Sequence, residues 1–159
     1  MLIWFLTLAA LLVVADQVTK YLAMQHLAQH GPIEVTGYFN LALAFNTGAA
    51  YSIFENAGGW QMILFVAAAA VVSAVILFWL ITGRYDSAVS GLGLALLLSG
   101  AIGNLIDRVM RGYVVDFLDF HYSGMHWPTF NVADIAITVG VCLIILDVFR
   151  SDSPVSGRA

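Results

Sequence analysis

The chain has 159 residues, 61% of them hydrophobic and only 10% charged, with a mean hydropathy of +0.90. A soluble domain is roughly a quarter charged, so the composition defines an α-helical membrane protein, one domain over 1–159 with no separate soluble module. The net charge of −4 is spread along the chain and leaves no basic patch for nucleic acid, and the one cysteine, Cys142, excludes an internal disulfide.

Four segments, 2–24, 60–82, 88–106 and 133–149, are apolar enough to cross about 30 Å of hydrocarbon at 1.5 Å per residue. Four spans put both termini on one side. The first begins like the apolar core of a signal peptide. It lacks a basic start, and its apolar character resumes at Tyr21 and Leu22, so it is expected to be a retained transmembrane helix. Within it, Asp16 and Lys20 stand i, i+4 on one helix face. Two compatible readings follow. They neutralise each other near the helix end, with the Lys stem snorkelling to the interface, or they brace a site on the outer loops.

The connections are unequal. Residues 83–87 form a tight hairpin, while 25–59 and 107–132 are long and lie on the face opposite the termini. Chemistry is expected on that face. In the first long loop Leu41, Leu43 and Phe45 alternate with Ala42 and Ala44, the period of a short strand, before a turn at Asn46-Thr47-Gly48 and a second apolar stretch ending at Phe54. The loop is too apolar to be freely solvated. It is either packing on the helix ends or a small extracytoplasmic β-like platform between helices 1 and 2, on the membrane surface, with Asn46 aimed at the site.

The uncharged second span reads as scaffold. In the third, Ala95, Ser99 and Gly103 recur every four residues and allow close helix approach. Gly100, Asn104 and Arg108 recur on the adjacent face. Asn104, with Asp107 and Arg108 after it, reads either as C-terminal capping or as a set of donors for substrate backbone and site carboxylates. Inside the fourth span, Cys142 is expected to act as a buried small hydrophobe.

Two carboxylates remain. Asp134 stands three residues after Asn131, the spacing of a capping box that opens the fourth helix. Asp116 lies between Val115 and Phe117 in an extended segment and needs a partner, because desolvating an ionised carboxylate is costly. Asp119 is expected to be solvated. His121 and His126 are irregularly spaced for a metal site, and no metal is expected. If Asp116 and Asp134 face each other across a water, they share a proton and titrate as a pair. That arrangement suits aspartyl peptide hydrolysis: one carboxylate takes a proton from water, and the other, protonated, hydrogen-bonds the scissile carbonyl. The start of the fourth helix favours negative charge on Asp134; which residue begins as the base stays open.

The positive charges divide evenly, Arg84, Arg150 and Arg158 on the terminal side against Lys20, Arg108 and Arg111 on the other. If Lys20 and Arg108 are engaged in the site, the remainder favours cytoplasmic termini.

Five motifs, in order and with suitable spacing, resemble the bacterial lipoprotein signal peptidases (signal peptidase II). They run from Asp16 to Lys20, Asn46 to Ala50, Gly100 to Arg108, Val114 to Phe117 and Phe130 to Asp134. Tyr51 stands where that family usually has Phe, which touches only the shape of the loop. The resemblance implies an inner-membrane aspartyl endopeptidase with cytoplasmic termini and its active site toward the outer face. Such enzymes cut diacylglyceryl-modified prolipoproteins before the lipidated cysteine, use no metal or organic cofactor, and are inhibited by globomycin. It implies Asp116 and Asp134 as the catalytic dyad, and Asn46, Asn104, Arg108 and Asn131 as residues that position substrate or dyad. Gly48, in the turn carrying Asn46, joins them, with Asp16 and Lys20 as structural support. A monomer is expected, with prolipoprotein and membrane lipid as partners.

A small proton-coupled transporter or channel is the main rival, since intramembrane Asp residues also serve proton relays; no inverted repeat or broken helix supports it. A structural assembly factor is the third reading. An intramembrane metalloprotease lacks its His-Glu-x-x-His.

Overall fold

The computed structural model describes residues 1–48 and 60–151. The expectations for Ala49, Ala50, Tyr51, the apolar stretch to Phe54 and Arg158 lie outside them. The elements run α1 (Leu2–His30), β1 (Ile33–Thr36), β2 (Phe39–Asn46), α2 (Trp60–Ile81), α3 (Ala88–Arg111), β3 (Val114–Tyr122), β4 (Met125–His126) and α4 (Val132–Ser151). All four helices are long and apolar enough to cross a membrane. The four-strand sheet gathers at one end of the bundle. The chain's start, the end of α4 and the α2–α3 hairpin lie at the other.

Two helices run further than the apolar pattern indicated. α1 continues past 24 to His30, because Ala23 and Leu27, one turn apart, are buried against Phe117 on the sheet. It stops at Gly31, whose φ of 77° suits glycine and whose N–H bonds Leu27 O at 2.9 Å. At 29 residues it is about 44 Å long, more than the hydrocarbon needs, so its last turns reach the sheet. α3 continues past 106 to Arg111. The charges of Asp107 and Arg111 pair along the helix instead of opening a loop, and Gly112, at φ 78°, closes it. Asn104 is therefore well inside α3 and caps nothing.

α3 is the hub. Half of its most apolar stretch is buried, against 17–22% in the other three helices. Small residues let α1 and α4 approach it closely. A Cβ on Gly100 would overlap Ala133 O and stand 2.5 Å from Ile137 Cγ1; one on Gly103 would stand 2.6 Å from Asp16 Oδ2. Gly100→Ala is therefore expected to force α3 from α4 and lower stability by about 1–3 kcal/mol. Gly37→Ala, with nothing within 4 Å of its Cβ, should be neutral. Thermal unfolding in detergent would compare the two, and equal midpoints would discount the packing argument. Cys142 is exposed on the surface of α4 and not buried in the bundle: the helix is apolar all round, so hydropathy could not tell its inner face from its outer one.

The sheet is antiparallel, in the order β1-β2-β3-β4. The expected platform is real, but only β1 and β2 come from the first long loop. β3 and β4 come from the second. In the central pairing Ala44 faces Asp116 and Asn46 faces Val114, beyond a register shift between Leu41 and Ala44. Val114, Val115, Asp116 and Phe117 are all buried, the signature of a strand covered on both faces. Backbone bonds Phe117 N to Phe130 O (3.1 Å) and Phe130 N to Leu118 O (3.1 Å) tie β3 to the segment that leads into α4.

Candidate active site

That tie brings the two carboxylates together. Asp116 lies on β3 and Asp134 in the first turn of α4, with Asn131 between them as N-cap. The expected capping box is present: Asn131 Oδ1 accepts from Asp134 N at 3.0 Å, and Asp134 Oδ2 accepts from Asn131 N at 3.3 Å. The box does not exhaust either residue. Asn131 Nδ2 also donates to Asp116 Oδ1 at 2.6 Å, so one buried asparagine touches both acids, Asp116 through its side chain and Asp134 through its backbone N–H.

Each remaining oxygen has its own amide. Asn46 Nδ2 donates to Asp116 Oδ2 at 3.1 Å, and Gly48 N, donating to Asn46 Oδ1 at 2.8 Å, turns that amide so its NH₂ faces the acid. Gly48 has φ 78°, which a glycine supplies without strain. Asn104 Nδ2 donates to Asp134 Oδ1 at 2.8 Å. All four carboxylate oxygens are thus held by neutral N–H donors. Burial, then the charge of Asp134, pushes the Asp116 carboxyl from 3.8 up to about 6, against the pull of Asn46, Asn131 and Lys20.

Arg108 does not bond the carboxylates as expected. Its Nη1 donates to Asn104 O at 3.3 Å, and its guanidinium lies over the Phe65 ring at 5.7 Å. Its Nε is buried without a hydrogen-bond partner among the described residues. Its charge still falls within electrostatic reach of Asp134, Asp116 and Asp107.

Asp16 and Lys20 form their ion pair (2.9 Å) but do not snorkel. Lys20 is 0% exposed, its ammonium shared with Asp107 (3.0 Å) and Asn104 Oδ1 (3.0 Å). Asp16 Oδ1 accepts from Ala133 N at 2.9 Å, satisfying an otherwise orphan N–H of the first turn of α4. The ion pair of the first reading is thus present without the snorkelling, and from inside the protein Lys20 reaches Asn104 and Asp107 while Asp16 reaches the start of α4.

Two members of this cluster were missed. Gln17 Nε2 bonds Asp16 Oδ2, Asp107 Oδ1 and Gly103 O. Asp107 is fully buried between Lys20 and Arg111, and its Oδ2 accepts from Val115 N at 3.0 Å. A signal was available: 104, 107, 108 and 111 follow the i, i+3, i+4, i+7 spacing of one helix face. Asp119 is also corrected. It is buried, not solvated, and takes His126 Nδ1 at 2.8 Å and Asn40 Nδ2 at 3.1 Å. The bond from His126 holds its carboxyl below the usual carboxylate range. Among the described residues no three His, Cys, Asp or Glu side chains gather as metal ligands.

Four helices long and apolar enough to cross a membrane, with Asp116 on the sheet at one end of the bundle and Asp134 on α4 joined to it in one hydrogen-bonded site, define a multi-pass membrane protein. The likeness to known proteins agrees. The chain is 44% identical over 147 residues to a lipoprotein signal peptidase of Alteromonas mediterranea, covering 92% of this chain and 81% of that one. It is 45% identical over 148 residues to that of Acinetobacter baylyi, covering 93% and 82%. A solved structure described as a bacterial membrane enzyme, determined in meso at 1.9 Å resolution, superposes with a TM-score of 0.80 at 32% identity, covering 92% of each chain. A second, at 2.3 Å, gives 0.79 at 31%, covering 98% and 93%. Residues 8–150 match the family described as Signal peptidase (SPase) II, and the chain belongs to that family of aspartic-type peptidases. Membership sets aside the transporter and assembly-factor readings.

Proposed function

We propose that the protein is an aspartyl endopeptidase that removes the signal peptide from diacylglyceryl-modified prolipoproteins, cutting before the lipidated cysteine, with Asp116 and Asp134 as its dyad. One observation carries the assignment of the dyad. The acids are joined through Asn131, and their four oxygens are held by neutral amide donors. In this reading the two carboxylates share a single proton, because two adjacent buried carboxylates do not both ionise cheaply. Burial beside Asp134 favours that proton on Asp116, and the start of α4 favours the anion at Asp134. A water between them loses its proton to Asp134 as its oxygen attacks the scissile carbonyl carbon. Asp116 gives its proton to the carbonyl oxygen, forming a gem-diol; as the C–N bond breaks, the departing amine takes up the proton held by Asp134 and one hydroxyl of the diol returns a proton to Asp116. Asn46 and Asn131 keep Asp116 turned to the water, and Asn104 does the same for Asp134. The Nε of Arg108, without a partner among the described residues, is a donor for a substrate carbonyl.

The same reading makes the chain a single working domain and monomer of the bacterial inner membrane, with lipid around it, no metal or organic cofactor, and sensitivity to globomycin-type inhibitors. Orientation follows from charge. Lys20 and Arg111 are engaged by Asp16 and Asp107, which leaves the weight of positive charge with Arg84 and Arg150 at the opposite end. That supports cytoplasmic termini and an outward-facing sheet and site.

The test is cleavage of a purified diacylglyceryl prolipoprotein in detergent, with excess chelator and with the unmodified precursor in parallel. The expected product begins at the modified cysteine, forms regardless of chelator, and forms far more slowly from the unmodified precursor. Loss of cleavage with chelator, or a cut elsewhere, would refute the reading.

A pH effect follows as well. Folded Asp116 holds its proton more tightly than the unfolded chain does. The resulting stability is complete below about 3.8 and is lost as pH rises through about 6. The loss is about 2–3 kcal/mol. Unfolding midpoints of the wild type should fall across this window relative to Asp116→Asn. Parallel curves would contradict the raised pKa.

A further inference from the structure

Beneath the dyad lies a buried charged cluster that takes no part in the proposed chemistry. From α1 come Asp16 and Lys20, and from α3 come Asp107 and Arg111. Two acids and two bases balance to zero. Asp107 is the one member bonded to both of the others' elements and to the strand that carries Asp116. Its Oδ2 accepts from Lys20 Nζ (3.0 Å) and from the backbone N–H of Val115 (3.0 Å), the residue before Asp116. Its Oδ1 accepts from Arg111 Nη1 and from Gln17 Nε2.

Two chains of contact lead from this carboxylate to the two acids. One is a single bond and a single residue: Asp107 to Val115 N, then along β3 to Asp116. The other runs from Asp107 to Lys20, from Lys20 Nζ to Asn104 Oδ1 (3.0 Å), and from Asn104 Nδ2 to Asp134 Oδ1 (2.8 Å). Because Lys20 holds the oxygen end of the Asn104 amide, its NH₂ end must face Asp134. Lys20 in turn is held in place by Asp107 and Asp16.

We propose, on the reading of Asp116 and Asp134 as the dyad, that Asp107 is the positioning residue for both, fixing their approach and setting the charge they feel. It touches neither acid and acts through Val115 and through Lys20 and Asn104. Its electrostatic part has a definite sign. The titratable and charged groups on the elements packed around the dyad are Asp16 and Lys20 on α1, Asp107, Arg108 and Arg111 on α3, and on β3 Asp119, bonded to His126, and His121; the described parts of α2 and β2 supply none. Among them the Lys20 charge already favours the ionised form of Asp116. Neutralising Asp107 leaves the cluster at +1, so the shared proton departs at lower pH. Removing the Arg111 charge leaves it at −1, so the proton is held to higher pH.

The experiment is the pH profile of kcat and KM for diacylglyceryl-prolipoprotein cleavage by the full chain in detergent, for the wild type, Asp107→Asn, Arg111→Met, the double variant and Asp116→Asn. For Asp107→Asn the alkaline limb should move down by about half a pH unit. Its kcat should fall about tenfold with KM little changed, since an interaction with the reacting groups and not with the substrate is disturbed. For Arg111→Met the limb should move up. In the double variant, neutral again, it should return toward the wild-type position. A merely structural role predicts lower yield or stability with no movement of the limb and no return. Coincident limbs in all folded variants overturn the proposal. If Asp107→Asn does not fold, Arg111→Met decides alone, because Arg111 is 20% exposed and its loss disturbs packing least. Asp116→Asn separates the two failures. Cleavage by that variant removes the dyad and this proposal with it, whereas an inactive Asp116→Asn beside unmoved limbs removes only the role of Asp107.

Discussion

Asp116→Asn and Asp134→Asn should each lower kcat for prolipoprotein cleavage by about a thousandfold or more, while both proteins still fold and insert. The fold is spared because asparagine keeps the shape and one acceptor oxygen. At 134 that oxygen can still close the capping box with Asn131. At 116 it can still accept from one of the two amides. What is lost there is the second acceptor, since Asn46 cannot simply turn over while Gly48 N holds its oxygen. That loss costs about 1–3 kcal/mol, offset by no longer burying a carboxylate in a site that resists its ionisation. The chemistry has no such substitute. An amide neither takes a proton from water nor gives one to a carbonyl oxygen. The double variant should be no slower than the singles, because two groups sharing one proton act as a unit. Circular dichroism and size-exclusion profiles matching the wild type would show that folding is intact. A single variant that keeps a tenth of the wild-type rate would rule its residue out as a catalytic acid.

How much of this was legible in the sequence depends on what kind of pattern carries the information. The helices were legible because twenty apolar residues in a row have few other uses, and Asn131 with Asp134 because a capping box is local. The alternation at 41–45 gave β2. Its partner was harder to see. β3 is buried on both faces, so Val114 to Phe117 shows no alternation, and Asp116 interrupts what would otherwise read as a short apolar run. The ends of α1 and α3 were misjudged for one reason. Hydropathy falls where a helix leaves the hydrocarbon, but a helix continues while its residues, apolar or charged, find partners. Leu27 finds Phe117, and Asp107 finds Lys20, Arg111 and Val115 N. Asp119 was misjudged likewise, its hydrogen bonds with Asn40 and His126 lying far along the chain or across a hairpin. Charges were legible as important wherever they stood inside a span, and illegible wherever tertiary contacts carried them under cover.

Lys20→Met should be the most destabilising single change among the charged residues, lowering unfolding free energy by about 3–5 kcal/mol. The side chain is 0% exposed, and its ammonium touches Asp16, Asp107 and Asn104 within 3.0 Å. Methionine fills nearly the same volume, so no large cavity results. The damage is electrostatic. Arg111 stays with Asp107, but the buried Asp16 is left, among the described residues, with Ala133 N–H and Gln17 alone to stabilise its charge. Asn104 also loses the shorter of the two bonds, from Lys20 and from Asn131, that orient its amide toward Asp134, so the surviving folded protein should turn over more slowly. This explanation is separable from a packing defect. Adding Asp16→Asn removes the stranded charge while keeping an oxygen to accept from Ala133 N. The pair should therefore recover part of the stability lost by Lys20→Met alone, even though Asp16→Asn in the wild type leaves Lys20 with one counter-charge fewer. Chemical denaturation in detergent, followed by tryptophan fluorescence, closes the four-member cycle. A favourable coupling of at least about 1 kcal/mol identifies the uncompensated carboxylate as the cause. Additive losses would instead mean that Lys20 acts chiefly through its packing, and that the buried cluster contributes far less charge control to the site than its contacts suggest.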